Sequence, residues 1–129
     1  MNSPDLILIA GGVLIIAYIL FSNRSRLPLD QAHAALKSGH AVLVDVREPH
    51  EWRHGMAADA FGLPLSDLRG TRAQWKPFLA QHAGKRLFLY CQSGARSAAA
   101  AASLRREGFD ALNVGSFSAW RRSGWPVKN

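Results

Sequence analysis

Two short apolar runs, Ala41-Val42-Leu43-Val44-Asp45-Val46 and Leu87-Phe88-Leu89-Tyr90, limit the folds open to this chain more than any other feature. Each is too short for a packed helix and lacks a polar face, so each reads as a strand covered on both sides. Helical patterns lie between and around them. The spacing predicts a helix over 29–38 stopped by Gly39, and at most a short helix over 49–54 between Pro49 and Gly55. A weak strand over 60–63 is closed by Pro64. A helix over 71–82 carries Trp75 and Leu79 on one face, with Pro77 interrupting it. A helix from Ala95 to Glu107 ends at Gly108. A last strand over 111–114 and a short helix over 117–122 complete the pattern. Strands alternating with helices predict an α/β domain with a mostly parallel central sheet. Such sheets bind ligands at the carboxyl ends of their strands. The run Ala98–Ala102 reads as a small-residue helix face able to lie close on that sheet.

Cys91 stands at the carboxyl end of the second run and is the chain's single cysteine. The segment Cys91-Gln92-Ser93-Gly94-Ala95-Arg96-Ser97 passes from strand to tight turn to helix start. That geometry brings several backbone N–H groups and the positive end of a helix dipole around the sulfur. Both favour thiolate over thiol, and the thiolate is the nucleophile. Arg96 adds a full positive charge, and Gly94 lets the backbone curl without a Cβ clash. A single cysteine excludes an intrachain disulfide and a Cys-x-x-Cys redox or zinc site. It also suits a reducing compartment.

Asp45 and Arg47 stand at the carboxyl end of the other strong strand. The first reading of this pair is structural, an ion pair or cap that fixes the loop. The alternative, open if the two strands are neighbours, is that Arg47 and Arg96 face one anion beside the sulfur.

The amino-terminal region has a different character. Leu6 to Phe21 has no polar side chain other than the Tyr18 hydroxyl. At 1.5 Å per residue it covers about 24 Å, somewhat short of a bilayer core of about 30 Å, so the flanks complete the span by snorkelling or bilayer thinning. Ser3-Pro4-Asp5 reads as a helix start. No positive charge precedes the run and no small-x-small site follows it, so an uncleaved anchor is expected rather than a signal peptide. Arg24 and Arg26 follow the run, which predicts a single-pass protein with its N-terminus outside and its folded domain cytoplasmic. The expected division is an anchor and linker over 1–26 and one domain over 27–129, with the membrane contacted through residues 6–21. A membrane protein partner is a further expectation from the anchor.

The net charge is +7, and the basic residues are scattered from Lys37 to Lys128 in nothing longer than pairs. That distribution reads as a solvated surface. No nucleic-acid partner is expected, because no recognition motif accompanies the charge.

Residues 27 to 127 resemble a single-domain rhodanese, the thiosulfate sulfurtransferase family. The resemblance is carried by Cys91-x-x-Gly94-x-Arg96-Ser97, supported by Val44-Asp45-Val46-Arg47-Glu48-Pro49 and Leu63-Pro64-Leu65. Gly115-x-x-x-Ala119-Trp120 and Gly124-x-Pro126-Val127 add to it. Two stretches depart from the family pattern. A usual glycine-histidine-isoleucine reads Gly55-Met56-Ala57, and a usual paired glycine reads Gly115-Ser116. The resemblance implies a rhodanese-like three-layer fold, here preceded by one transmembrane helix. It implies Cys91 as the catalytic residue and Gln92, Ser93, Gly94, Ala95, Arg96, Ser97 and Arg47 as the substrate-binding set, with Asp45 as structural support. It also implies that Cys91 takes a sulfur from a donor such as thiosulfate, forms a persulfide, and passes it to a thiol or cyanide. No metal and no organic cofactor are implied. With one cysteine, the acceptor must be another molecule.

Three rival readings have sequence handles. Cysteine phosphatases of a related fold place five residues between cysteine and arginine, making room for a tetrahedral phosphate; here there are four. His50-Glu51-Trp52-Arg53-His54 satisfies the zinc-protease pattern, but Pro49 and Gly55 leave too little helix to hold it. The third rival is an adaptor in which the anchored domain docks a partner and turnover is incidental. His33 and His40 are expected at the surface. The four tryptophans, Trp52, Trp75, Trp120 and Trp125, are expected in core or rim packing.

Overall fold

In the computed structural model, residues 9–16 and 26–129 are described. The folded part starts from the two apolar runs. Ala41–Asp45 (β1) and Arg86–Cys91 (β4) lie side by side in parallel, from Ala41 opposite Arg86 to Asp45 opposite Tyr90. Phe61–Gly62 (β3) flanks β1, and Ala111–Ser116 (β5) flanks β4, giving a parallel sheet in the order β3-β1-β4-β5. Side chains alternate across this sheet. Val44, Val46, Leu87, Leu89 and Cys91 share one core with Trp75, Phe78, Ala100, Ala101 and Leu104. Leu43, Phe88, Tyr90 and Val114 share the other with Ala32, Phe117 and Trp120. Both faces are buried, which is why the strands are apolar throughout and the parallel, helix-covered arrangement follows.

Leu29–Lys37 (α1) packs on the second core, and Ala95–Arg106 (α5) on the first. The alanines of α5 let it approach closely: Ala100 and Ala101 are fully buried against the sheet. Pro49–Trp52 (α2) and Phe117–Arg122 (α6) are short helices.

Several elements differ from the sequence expectation. The helix predicted over 71–82 begins only at Trp75 and ends at Gln81 (α4). Arg72 adopts a positive φ of 58°, and the Asp67 carboxylate accepts the N–H groups of both Gln74 and Trp75 at 3.0 Å, which sets the start. Leu65–Arg69 forms a one-turn helix (α3) begun by Pro64, in a stretch where the sequence pattern predicts no element; Leu65 and Leu68 bury its inner face. The strand predicted over 60–63 shrinks to two residues, while β5 runs on to Ser116. Met56–Ala57 (β2) and Val127–Lys128 (β6) pair antiparallel in a small second sheet. His33 is not a free surface group but stacks on Trp125, with centroids 4.4 Å apart. Gly62 is required by contact. A Cβ there would lie 2.6 Å from the Trp52 ring.

Residues 9–16 are helical, with Ile9, Val13, Leu14, Ile15 and Ile16 exposed. The remainder of the expected 6–21 anchor lies outside the described residues. Among the described residues, no helix is long and apolar enough to cross a membrane. From Arg26 the chain already joins the fold, bridging in parallel to Asn113.

Candidate active site

Because β1 and β4 are adjacent and in register, their carboxyl ends bring Asp45 and Arg47 next to the Cys91 loop. β4 ends at Cys91, and α5 begins at Ala95. Gly94 makes the turn between them at φ 98°, a conformation that strains residues with a Cβ. A Cβ there would meet the Gly115 backbone at 3.5 Å, ordinary contact, so the requirement is the dihedral rather than space.

The turn aims its donors at the sulfur. Gly94 N donates to Cys91 Sγ at 3.1 Å, and Ser97 N and Ser97 Oγ lie 3.4 Å from it. Cys91 is fully buried, and burial is the strongest single influence on its thiol, opposing ionisation. The hydrogen bonds from the Ser97 hydroxyl and from the Ser97, Gly94 and Ser93 amides together outweigh it. The thiol pKa therefore lies below its ordinary value.

Asn113, which nothing in the loop itself announces, holds this cradle. Its Oδ1 accepts from Ser97 Oγ at 2.7 Å and from Gly115 N at 3.1 Å, and its Nδ2 donates to Gly94 O at 3.2 Å. The Ser97 hydroxyl has one proton for Asn113 Oδ1, Gly94 O and the sulfur, so it serves them in alternation. A polar residue in the buried strand β5 was the available signal for Asn113.

Asp45 and Arg47 form the structural ion pair read first from the sequence, and Arg96, expected to face an anion, is engaged by a carboxylate as well. Arg47 is 2 % exposed and grips Asp45 through Nε and Nη2, at 2.7 Å for the shortest contact. It also donates to Gly55 O at 2.7 Å and to Gln92 Oε1 at 3.3 Å. Burial opposes its charge, but Asp45 more than compensates, and the guanidinium pKa is raised. Tyr90 completes the cluster, donating to Asp45 Oδ2 at 2.6 Å and accepting from Ala57 N at 2.9 Å. Burial, reinforced by the Asp45 charge, raises the phenol pKa and keeps it protonated. Arg96 forks onto Glu51 at 2.7 and 2.8 Å. Those hydrogen bonds are the largest influence on Glu51 and lower its pKa to about 2. Glu51 also caps α2 by accepting from Glu48 N at 2.8 Å. The glutamate of the His-Glu-x-x-His pattern is therefore part of this arginine pair, and α2 ends before His54.

Of the remaining loop residues, Gln92 turns outward, its Nε2 donating to Ser118 Oγ at 3.3 Å. Ala95 and the Ser93 side chain are exposed, with Ala95 N donating to Ser93 Oγ at 3.4 Å. Beside the loop is a cavity of about 250 Å³ lined by Arg47, Glu51, His54, Gln92, Phe117, Ser118 and Arg121. Gln92 is the residue shared by loop and cavity. Cys91 itself is fully buried and does not line the cavity, so a donor there needs a change of conformation to reach the sulfur. Ser116, standing at the departure Gly115-Ser116, caps α6 by accepting from Ala119 N at 3.1 Å. Of these neighbours, His54, Phe117, Ser118 and Arg121 come from segments with no loop-like pattern of their own.

Comparison with known proteins agrees with this geometry. The family described as "Rhodanese-like domain" matches residues 28–123. Thiosulfate sulfurtransferase 16, chloroplastic, of Arabidopsis thaliana is 35% identical over 119 residues, covering 83% of this chain and 98% of that protein. Among solved structures, a rhodanese-related protein from Thermoplasma volcanium superposes with a TM-score of 0.67 at 30% identity, covering 80% of this chain and 96% of the other. The human single-domain sulfurtransferase TSTD1 gives a TM-score of 0.64 at 26% identity, covering 76% and 96%. A parallel sheet ending in a cysteine loop, a family match over most of the chain and a relative matched over nearly its whole length lead to one conclusion: the chain belongs to the rhodanese-like domain family.

Proposed function

We propose that this protein is a sulfurtransferase that carries a sulfane sulfur on Cys91. The observation that carries the reading is the set of donors on Cys91 Sγ: amides and a hydroxyl point at it, and among the described residues no carboxylate does. The thiolate attacks the outer sulfur of a thiosulfate-like donor. The donor's S–S bond breaks, sulfite leaves with the electron pair, and Cys91 becomes an anionic persulfide. The loop amides that hold the thiolate serve the persulfide without reorganisation. A thiol or cyanide then attacks the outer sulfur and returns Cys91 to the thiolate. The chain has no second cysteine to do this internally. Four residues between Cys91 and Arg96 keep the loop tight, which favours sulfur over a phosphoryl group as cargo. The test is mass measurement after thiosulfate treatment. Wild type should gain one sulfur, about 32 Da, and Cys91→Ala none; an unmodified wild type overturns the reading.

The apolar stretch over residues 6–21 supports a second part of the proposal, an uncleaved anchor that holds the domain on the cytoplasmic side. Full-length protein should stay with membranes through an alkaline carbonate wash. A chain starting at residue 27 should not. Release of the full-length protein by the wash counts against the anchor and leaves the sulfur chemistry untouched.

A further inference from the structure

We infer that Arg121 is the cation that draws a small oxyanion to Cys91, in place of the loop arginine Arg96 and the strand-end arginine Arg47. The inference deepens the sulfurtransfer reading above and rests on Cys91 as the reacting group. It follows from charge balance around the cavity. Arg47 is tied to Asp45 and Arg96 to Glu51, so each brings a guanidinium and a carboxylate together and adds almost no net field. Each already commits its main fork to a carboxylate, so an incoming anion there meets a neighbouring negative charge. Arg121 differs. Among the described residues, no carboxylate lies within salt-bridge distance of it.

Arg121 is nonetheless held. It lines the cavity with Gln92, the outward residue of the cysteine loop, and its Cζ lies 5.4 Å from the centroid of the Phe117 ring. Arg47 sits over the same ring at 4.4 Å, so Phe117 locates both guanidiniums. An arginine with a free planar fork binds oxyanions through paired hydrogen bonds. Ser118 Oγ and His54 on the same wall supply further polar contacts. Arg122, next in sequence, does not line the cavity and serves as the internal control.

The experiment compares alkylation of Cys91 by iodoacetate and by iodoacetamide in the full-length protein. Both expel iodide and add to the same sulfur, and the single cysteine makes the product unambiguous. Loop opening is common to both reagents and cancels in the ratio of rates, which leaves the preference for an anion. Arg121→Gln should lower the iodoacetate-to-iodoacetamide ratio about fivefold at low salt, as loss of one nearby charge requires. Arg121→Lys should keep most of the ratio, and Arg122→Gln all of it. In thiosulfate turnover, Arg121→Gln should raise KM by a similar factor and leave kcat within about twofold. An unchanged ratio in Arg121→Gln overturns the inference, as does an equal fall in Arg122→Gln. If wild type takes no sulfur from thiosulfate yet the ratio falls in Arg121→Gln alone, the sulfurtransfer reading fails and the anion-drawing role of Arg121 stands.

Discussion

Two polar clusters sit buried at neighbouring strand ends, and they are built on opposite principles. Around Asp45, Arg47 and Tyr90 every charge meets its opposite. The carboxylate accepts from the Arg47 amide and guanidinium and from the Tyr90 hydroxyl. Around Cys91 the polar groups that reach the sulfur among the described residues are donors, and no described charge bonds to it. Tyr90 and Cys91 are consecutive, so the alternation of one strand sends the closed cluster to one face and the open cradle to the other. A saturated cluster resists change, whereas a donor-only pocket favours any anion formed within it.

The sharpest way to break this comparison is to open the closed cluster. Asp45→Ala leaves the Arg47 guanidinium buried beside no carboxylate and removes the acceptor of Tyr90. It should cost about 3–5 kcal/mol in denaturant unfolding. Asp45→Asn keeps the shape and some hydrogen bonds and should lose less, in the same direction. A loss under about 1 kcal/mol for Asp45→Ala would show that water or movement relieves the cation, and the distinction between the two clusters would fail.

How much of each cluster was legible in sequence follows from how local it is. The cradle's main donors come from residues 93–97, within six positions of the sulfur, so strand, glycine turn and helix start could be read directly. Asn113 and Glu51, which position the cradle and engage Arg96, come from other elements. Nothing in a lone sequence pairs Arg96 with a residue 45 positions away. Glu51 was visible but lay inside a misleading His-Glu-x-x-His pattern. The same logic covers the fold. The β1 and β4 runs announce themselves by composition. The single turn of α3 is too short for a helical period. The β2–β6 pairing joins Ala57 to Val127, which is invisible to any local rule.

The next test weakens the open cradle. Ser97→Ala removes the one hydroxyl that reaches the sulfur among the described residues and leaves the Gly94 and Ser97 amides. The thiol pKa should rise, because the Ser97 hydroxyl gives the largest of the hydrogen bonds that lower it. The check is the pH at which iodoacetamide alkylation reaches half its maximal rate. The sign for stability follows. A thiol whose folded pKa lies below its unfolded value adds stability that is full above the unfolded pKa and fades as pH falls through the folded value. Ser97→Ala should therefore lose stability most at alkaline pH. An unmoved alkylation midpoint would assign the lowered pKa to the amides alone.

The smallest effect belongs to the pair that lies between the two clusters, Arg96 and Glu51. It is charge-paired like Asp45–Arg47 but sits at the rim, with side-chain exposures of 36% and 24%. Solvent screens such a pair, so its contribution should be about 1 kcal/mol or less, well below the buried cluster's. The carboxyl pKa is lowered to about 2 from the ordinary 4.5. Its contribution is complete above pH 4.5 and is lost as pH falls toward 2. Glu51→Gln should lower stability by that small amount at neutral pH and leave it unchanged near pH 2, flattening the acid side of the stability curve over that window. The same substitution frees Arg96 beside the loop. If both arginines then draw anions, the iodoacetate preference of Cys91 should rise in Glu51→Gln and survive in part when Arg121→Gln is added. That outcome would mean the carboxylate pairing, and not distance from the cavity, keeps Arg96 from recruiting an anion in the native protein.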